Sequence, residues 1–346
     1  MRKLLNTLYV TNPNAYLSKD GSNIVVSTDK NEIGRLPIHN IEQIVCFGYR
    51  GTSPSLMGLC VENGVSLCFV TPNGKFMASV QGEASGNVLL RREQYRIADD
   101  DIRSIQIAKN MIIGKVVNSR AVLRKFKNNH ADSAYIISIN SAIEKITSLI
   151  DLIDSASDST SLRALESEAA RIYFGVFDAL ILKSKEDFFF RERNRRPPRD
   201  RVNAMLSFVY SMLANDVRSA LDSVGLDPFV GFLHVDRPGR PSMALDLMEE
   251  MRPIADRVVL TLINLRSVDP DGFIEKEGGS VIMKEDTRRC VIAAWQSRKN
   301  DEIYHPYIEE KIKIGLIPFI QSSLLAKCIR GEINGYPPFI TRSNEK

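Results

Sequence analysis

From about residue 97 onward the apolar positions of this chain recur at helical spacing, and this constrains the fold more than any other feature. In the stretch DDDIRSIQIAKNMIIGKVVNSRAVLRKF, Ile102, Ile105, Ala108, Ile112, Val116 and Leu123 line one face of a long helix. Similar periodic stretches run over 133–155, 159–182, 200–225, 242–266 and 305–330. The first 80 residues follow another rule. NTLYV, AYLSKDGSNIVVST, IEQIVCFG, VSLCFVT and KFMASV are β-branched or aromatic runs punctuated by Asp20-Gly21 and Pro72-Asn73-Gly74. Among them SPSLMGLCVENG predicts a short helix, with Ser53 as N-cap, Pro54 at the first helical position and Gly64 as the stop. VDPDGFIEKEGGSVIMK predicts a hairpin or long loop at 268–284. The fold class is therefore α+β: a small β-rich N-terminal domain over 1–80, a polar connector over 81–96, and a larger, mostly α-helical domain over 97–335. The proline and polar content of 336–346 predicts an extended, partly disordered tail.

Composition narrows the setting. The 346 residues are 44% hydrophobic and 25% charged, enough to bury a core without staples. Five cysteines, odd in number and with no C-x-x-C pair, indicate neither a disulfide framework nor a cysteine zinc site, and a reducing cytoplasm is expected. Cys46, Cys60 and Cys68 lie in apolar runs and read as core. MRKLLNTLYVTNPNAYL has too short and too interrupted an apolar stretch for a signal peptide. No run approaches the roughly 20 apolar residues a membrane helix needs. The net charge of +4 says little by itself; where the arginines lie says more.

Three stretches carry candidate chemistry. In GFLHVDRPGRPSMALDLMEEMRP, Asp246 and Glu249 are three apart and project from one helix face, about 5–6 Å apart at Cβ, a chelating separation. An acidic first turn favoured by the helix dipole has the same appearance. His234 stands twelve residues before Asp246, where proline and glycine prevent a helix, as a loop ligand folding back requires. Two carboxylates and an imidazole suit Mg²⁺ or Mn²⁺. In LRALESEAARIYFGVFD, Glu166 shares a face with Ala169, Ala170 and Tyr173; a buried carboxylate needs a cation, either a metal ion or Arg163 or Arg171. FFFRERNRRPPRDRVNAMLSFVY holds the densest basic cluster, six arginines at 191, 193, 195, 196, 199 and 201. The planar fork of arginine matches phosphate. Asp200 caps the next helix, on which Asn203, Ser207 and Tyr210 share a face. His305, before a proline, reads as a surface or capping residue.

These stretches together resemble one family, the CRISPR-associated integrase and endonuclease of spacer acquisition, the Cas "one" protein, with a pattern nearest the type I-C branch. The resemblance rests on E-x-x-A-A-R-x-Y (166–173), R-R-P-P-x-D-x-x-N-A-x-L-S-F-x-Y (195–210), and G-F-L-H with A-L-D-L-M-E-E-x-R-P (231–253). It implies that Glu166, His234 and Glu249 bind Mg²⁺ or Mn²⁺, with Asp246 a further catalytic acid that contacts the metal or orients its shell. Helical geometry alone does not choose Glu249 over Glu250, and Glu168 stands beside Glu166, which the A-A-R-x-Y spacing favours. The resemblance also implies DNA contacts from Tyr173, Arg193, Arg195, Arg196, Arg199, Asn203, Ser207, Arg237 and Arg240. The implied reaction is attack of a captured fragment's 3′-hydroxyl on a phosphodiester of the CRISPR repeat. The implied partners are double-stranded DNA, a second copy in a homodimer, and the small Cas "two" protein in a heterohexamer. Two other readings are a stand-alone, structure-selective repair nuclease and a DNA-binding scaffold without catalysis.

Overall fold

The computed structural model describes residues 7–341 apart from 30, 42, 49, 72–75 and 81–87. The expected turn at Pro72-Asn73-Gly74 and the first half of the expected connector lie outside them. The chain divides into two compact units, 1–86 and 87–346.

The first unit is built on strands. β1 (Thr7–Val10), β5 (Gln43–Phe47), β6 (Ser66–Val70) and β7 (Phe76–Val80) form one sheet in that order, and β2 (Tyr16–Asp20), β3 (Asn23–Thr28) and β4 (Asn31–Pro37) form an antiparallel sheet. β5 and β6 pair in parallel, and the crossover between them is α1 (Pro54–Glu62). Ser53 caps α1 as expected, accepting from Leu56 N–H, with Pro54 at its first position. Ile24, Ile44, Leu56, Cys60 and Leu67, all fully enclosed, form the centre of this unit's core.

The second unit is helical: α2 (Val88–Ala98), α3 (Asp101–Asn129), α4 (Ile136–Asp154), α5 (Ser159–Gly175), α6 (Arg201–Val224), α7 (Ser242–Met248) and α8 (Arg252–Asn264). They are followed by the hairpin β8 (Phe273–Glu275) and β9 (Val281–Met283), α9 (Glu285–Asn300), the hairpin β10 (Glu302–His305) and β11 (Glu310–Lys313), and α10 (Ile317–Ile329). The long α3 is the axis, packed against α4, α5, α8 and the turn between α7 and α8. Asp100 starts it by accepting from Ile102 and Arg103 N–H, and Ile105, Ala108, Ile112, Val116 and Leu123 are buried along it.

Several expectations need correction, beginning with Ile102, which is exposed in the first turn of α3. Residues 88–96 belong to α2, because Leu90, Gln94 and Ile97 bury one face in spite of the polar composition. α9 was not expected, since its sparse apolar positions, Val291, Ile292 and Trp295, make a weak periodic signal. The stretch 305–316 opens with a hairpin rather than a helix, and His305 in β10 is fully enclosed, its Nε2 2.9 Å from Gln321 Oε1. Finally, residues 336–341 are no loose tail. Tyr336 and Phe339 are buried, the Phe339 and Pro337 carbonyls accept from Asn118 and Gln321, and Thr341 N–H donates to Asn118. Phe339→Ala should therefore lower the stability of the protein by about 3–5 kcal/mol in urea denaturation, the cost of emptying an aromatic core site. A residue on a loose tail would change it by no more than about 0.5 kcal/mol.

Candidate active site

The site is organised by a break in the helix that carries its acids. Pro253 has no N–H to donate to the Glu249 carbonyl. Arg252 N–H takes that carbonyl instead, and Glu249–Met251 tightens into one 3₁₀ turn between α7 and α8. The kink sends three neighbouring acids toward three different partners.

Asp246 faces the loop before α7. Its Oδ2 accepts from Phe232 N–H (2.6 Å) and Leu233 N–H (2.8 Å), and its Oδ1 accepts from His234 N–H (3.0 Å) and lies 2.5 Å from His234 Nδ1. A carboxylate so occupied holds a loop and a ring, with Nδ1 as the donor and Nε2 left for another partner. Gly231 makes the approach possible, since a Cβ there would stand 2.8 Å from Asp246 Oδ2.

Glu249 faces α3 and α5. Its Oε2 lies 2.7 Å from Lys115 Nζ and its Oε1 2.9 Å from Arg252. The same Lys115 ammonium donates to Glu166 Oε1. Burial raises the pKa of Glu249, but Arg252 and Lys115 outweigh it and hold the carboxyl well below the usual range. Glu250 faces the other side and is structural. Tyr336 OH, Gln321 Nε2 and Phe339 N–H all donate to it, and a Cβ on Gly114 of α3 would lie 2.9 Å from its Cβ. On α5, Glu168 pairs with Arg171 at the surface (2.6 Å), whereas Glu166 points to Lys115. One turn before Glu166, Arg163 Nε donates to the Leu233 carbonyl (3.2 Å), which ties α5 to the histidine loop. Glu166 and Glu249 thus share one cation, and His234 is fastened to Asp246. Among the described residues no three histidine, cysteine or acidic side chains are gathered at ion-binding distance.

Behind the carboxylates lies a buried polar layer. Asp256 on α8 accepts from Tyr173 OH (3.1 Å) and Tyr210 OH (2.5 Å), and the guanidinium groups of Arg252 and Arg193 lie 4.8 and 5.3 Å from the Tyr210 ring centre. This placement corrects part of the expected DNA surface. Tyr173 and Asn203 are buried, and Asn203 spends its amide on Asp200 and the Glu192 carbonyl while accepting from Arg193 (2.6 Å) and Asn194 N–H. Arg193 also donates to Ser207 Oγ (3.1 Å). Asn203 and Ser207 thus brace the arginine loop from beneath through Arg193, while Tyr173 is held by Asp256.

Arg195, Arg196, Arg199 and Arg237 are exposed, and Arg240 is half-buried. Burial lowers the pKa of Arg240, and the charges of Arg237, Arg196 and Arg163 lower it further, so the arginine loop and the histidine loop share one field beside Asp246. Periodicity did not single out Lys115, Arg252 or Asp256. A signal existed for Lys115, which falls at i+4 from Met111 and i−4 from Ser119 on the buried face of α3.

An acidic pair and an anchored imidazole thus lie beside an arginine-rich rim, whose charge favours a polyanion. The family described as CRISPR associated protein Cas1 matches residues 8–297. A CRISPR-associated endonuclease Cas1 of Chlorobaculum tepidum is 46% identical over 343 residues, 99% of this chain and 100% of that protein. In fold, the chain is similar to a casposase bound to integration product (TM-score 0.84, 22% identity, 99% of this chain and 95% of that one). It is also similar to a chain of a Cas6-RT-Cas1–Cas2 complex (TM-score 0.80, 19% identity, 100% of this chain and 37% of that one). The chain belongs to the Cas1 family.

Asp256 generates a prediction. Burial pushes its carboxyl up to about 6, against the two tyrosine hydroxyls and the charges of Arg193 and Arg252, which pull it down. The folded protein holds this proton more tightly than the unfolded chain, whose aspartate ionises near pH 3.9, so the associated stability is complete below about pH 4 and is lost as pH rises through about 6. Asp256→Asn should remove that part of the slope, on the order of 2–3 kcal/mol across the window. Chemical denaturation at a series of pH values checks it, and parallel slopes for the two proteins would assign the titration elsewhere.

Proposed function

We propose that this chain is a divalent-metal-dependent DNA integrase and endonuclease that inserts short DNA fragments into a CRISPR array. The observation that carries the reading is the Glu166–Glu249 pair, two carboxylates from separate elements already arranged around one cation, beside His234. The donor set fits Mg²⁺ or Mn²⁺. Glu249 is held charged, the Nδ1 proton of His234 is committed to Asp246, and its Nε2 lone pair is left for a metal. Glu166, His234 and Glu249 would hold the ion, with Asp246 as the positioning acid. When bound, the metal would neutralise charge on the phosphate and lower the pKa of the attacking 3′-hydroxyl or water.

The remaining work falls to this chain's own side chains. Arg195, Arg196, Arg199, Arg237 and Arg240 would bind the sugar-phosphate backbone, which gives a salt-dependent affinity with little base discrimination. Arg193, Asn203 and Ser207 support that surface from within, and Tyr173 belongs to the buried layer around Asp256. Arg252 keeps Glu249 ionised, and Asp246 fixes the orientation of His234. Double-stranded DNA, a second copy of this chain and the small Cas2 protein are the proposed partners. The fold likeness to a chain in a Cas1–Cas2 complex supports the last of these. No helix among the described residues is long and apolar enough to cross a membrane. The cytoplasm is the proposed compartment, with Cys46, Cys60 and Cys68 buried and in no disulfide.

Strand transfer tests the reading: a labelled short duplex joined to a repeat-containing plasmid in Mg²⁺ or Mn²⁺, with and without the Cas2 partner. Glu166→Gln, His234→Ala and Glu249→Gln should each abolish joining while DNA binding persists, and Asp246→Asn should lower it by about 10–100-fold, as for other residues that orient a metal ligand. Full joining by all three ligand variants would leave a non-catalytic scaffold, and shortening of the label without joining would leave a nuclease. For the rim, Arg196→Ala and Arg199→Ala should each weaken binding uniformly across sequences and reduce the slope of log affinity against log salt by about 1.

A further inference from the structure

We infer that Lys115 is a resident cation of the active site: its ammonium occupies the place between Glu166 and Glu249 that a divalent ion must take, and so sets how tightly the protein binds metal. The inference rests on the metal-site reading above and adds to it a residue that competes with the ion.

The lysine is built into this position. It lies on the core-facing stripe of α3 between Met111 and Ser119, and is buried, as is Glu249. Its ammonium bridges Oε1 of Glu166 on α5 and Oε2 of Glu249 on the 3₁₀ turn. Arg252 takes the other Glu249 oxygen at 2.9 Å. Two carboxylates thus face two cations, and the cluster is electrically balanced without any ion from outside. Buried carboxylates left without a counter-charge repel each other and lose hydration, so the lysine keeps α3, α5 and the turn together in the metal-free protein.

Balance also creates competition. One ammonium and one divalent ion cannot both stand between the same two oxygens, and keeping both nearby would leave the cluster with excess positive charge. The ion therefore binds at the expense of the lysine contacts, and its affinity is reduced by what those contacts contribute. A cavity of about 20 Å³, with space for about one water, adjoins the ammonium and is lined by Lys115 together with Ala169, Ala170, Tyr173, Arg195, Arg252 and Asp256, so the lysine side chain is not packed tightly on that side. The two alanines of the E-x-x-A-A-R-x-Y stretch leave that space open next to the carboxylate they follow.

The test titrates Mn²⁺ into the purified full-length protein without DNA, reading free ion by electron paramagnetic resonance, for wild type and Lys115→Met. Loss of the competing charge should tighten the Mn²⁺ Kd by roughly tenfold or more, within the range of couplings between mutually exclusive ligands. The metal-free Lys115→Met protein should melt at a lower temperature than wild type, and saturating Mn²⁺ should raise its melting temperature by more than it raises that of wild type. A second measurement needs no variant. Reductive methylation of wild type, read by mass spectrometry at Lys115, should be slow in the metal-free protein and increase severalfold with saturating Mn²⁺. An unchanged or weaker Kd in a folded Lys115→Met protein, or equal labelling with and without Mn²⁺, would overturn the inference while the metal site stood. Absence of any Mn²⁺ binding to wild type would overturn both.

Discussion

Two carboxylates sharing one lysine ammonium are the contact on which the helical unit of this protein depends. Glu166 comes from α5, Glu249 from the turn between α7 and α8, and Lys115 from the middle of α3. Lys115 and Glu249 are buried and Glu166 is half-buried, and the two buried charges are tolerated because all three meet. The same contact therefore fixes where three helical segments stand and gathers negative charge at one point. Arg252 extends it inward to Tyr210 and Asp256, so the site rests on a continuous polar layer rather than on apolar packing alone.

The 3₁₀ turn determines what each acid of the cluster does. A continuous helix would project Asp246 and Glu249 from one face, with Glu250 turned about 100° from Glu249. The break separates them further: Asp246 binds the 232–234 backbone and His234, Glu249 joins the ion cluster, and Glu250 receives the C-terminal segment. Glu250 lies so deep that burial raises its carboxyl to about 8, although the donors from Tyr336, Phe339 and Gln321 pull the other way. Its partners come from residues 321–339, so the end of the chain braces the turn that carries Glu249.

The arginine loop shows a similar division between surface and support. Arg193 and Asn203 lock the loop onto the first turns of α6, where Asp200 caps the helix. Their interior hydrogen bonds leave Arg195, Arg196 and Arg199 facing outward. The histidine loop brings Arg237 and Arg240 into the same field. A positive rim around a pair of carboxylates favours a polyanion at the rim and a cation at the centre, the charge arrangement the proposed phosphodiester chemistry calls for.

Much of this could be read from the residues in order. β-branched and aromatic runs with turn pairs marked the strands of the first unit except β4, helical spacing marked α3 to α8, and Ser53-Pro54 and Asp200 marked their helix starts, because those signals act between neighbours in the chain. The motifs carrying Glu166, His234 and Glu249 were likewise visible as local patterns. What local pattern could not decide was direction. Whether Glu249 or Glu250 faced the site depended on a proline-induced turn and on a C-terminal segment about ninety residues away. The separation of Glu166 from Glu168 depended on a lysine fifty-one residues upstream of Glu166. Tyr173 and Asn203 looked like surface contacts until Asp256, Arg193 and the Glu192 carbonyl claimed their polar atoms. Sequence sets which groups are available and their spacing along an element. Only the folded chain sets which buried charge meets which, because that pairing is an exchange between segments distant in sequence and is resolved by the cost of leaving any one of them unpaired.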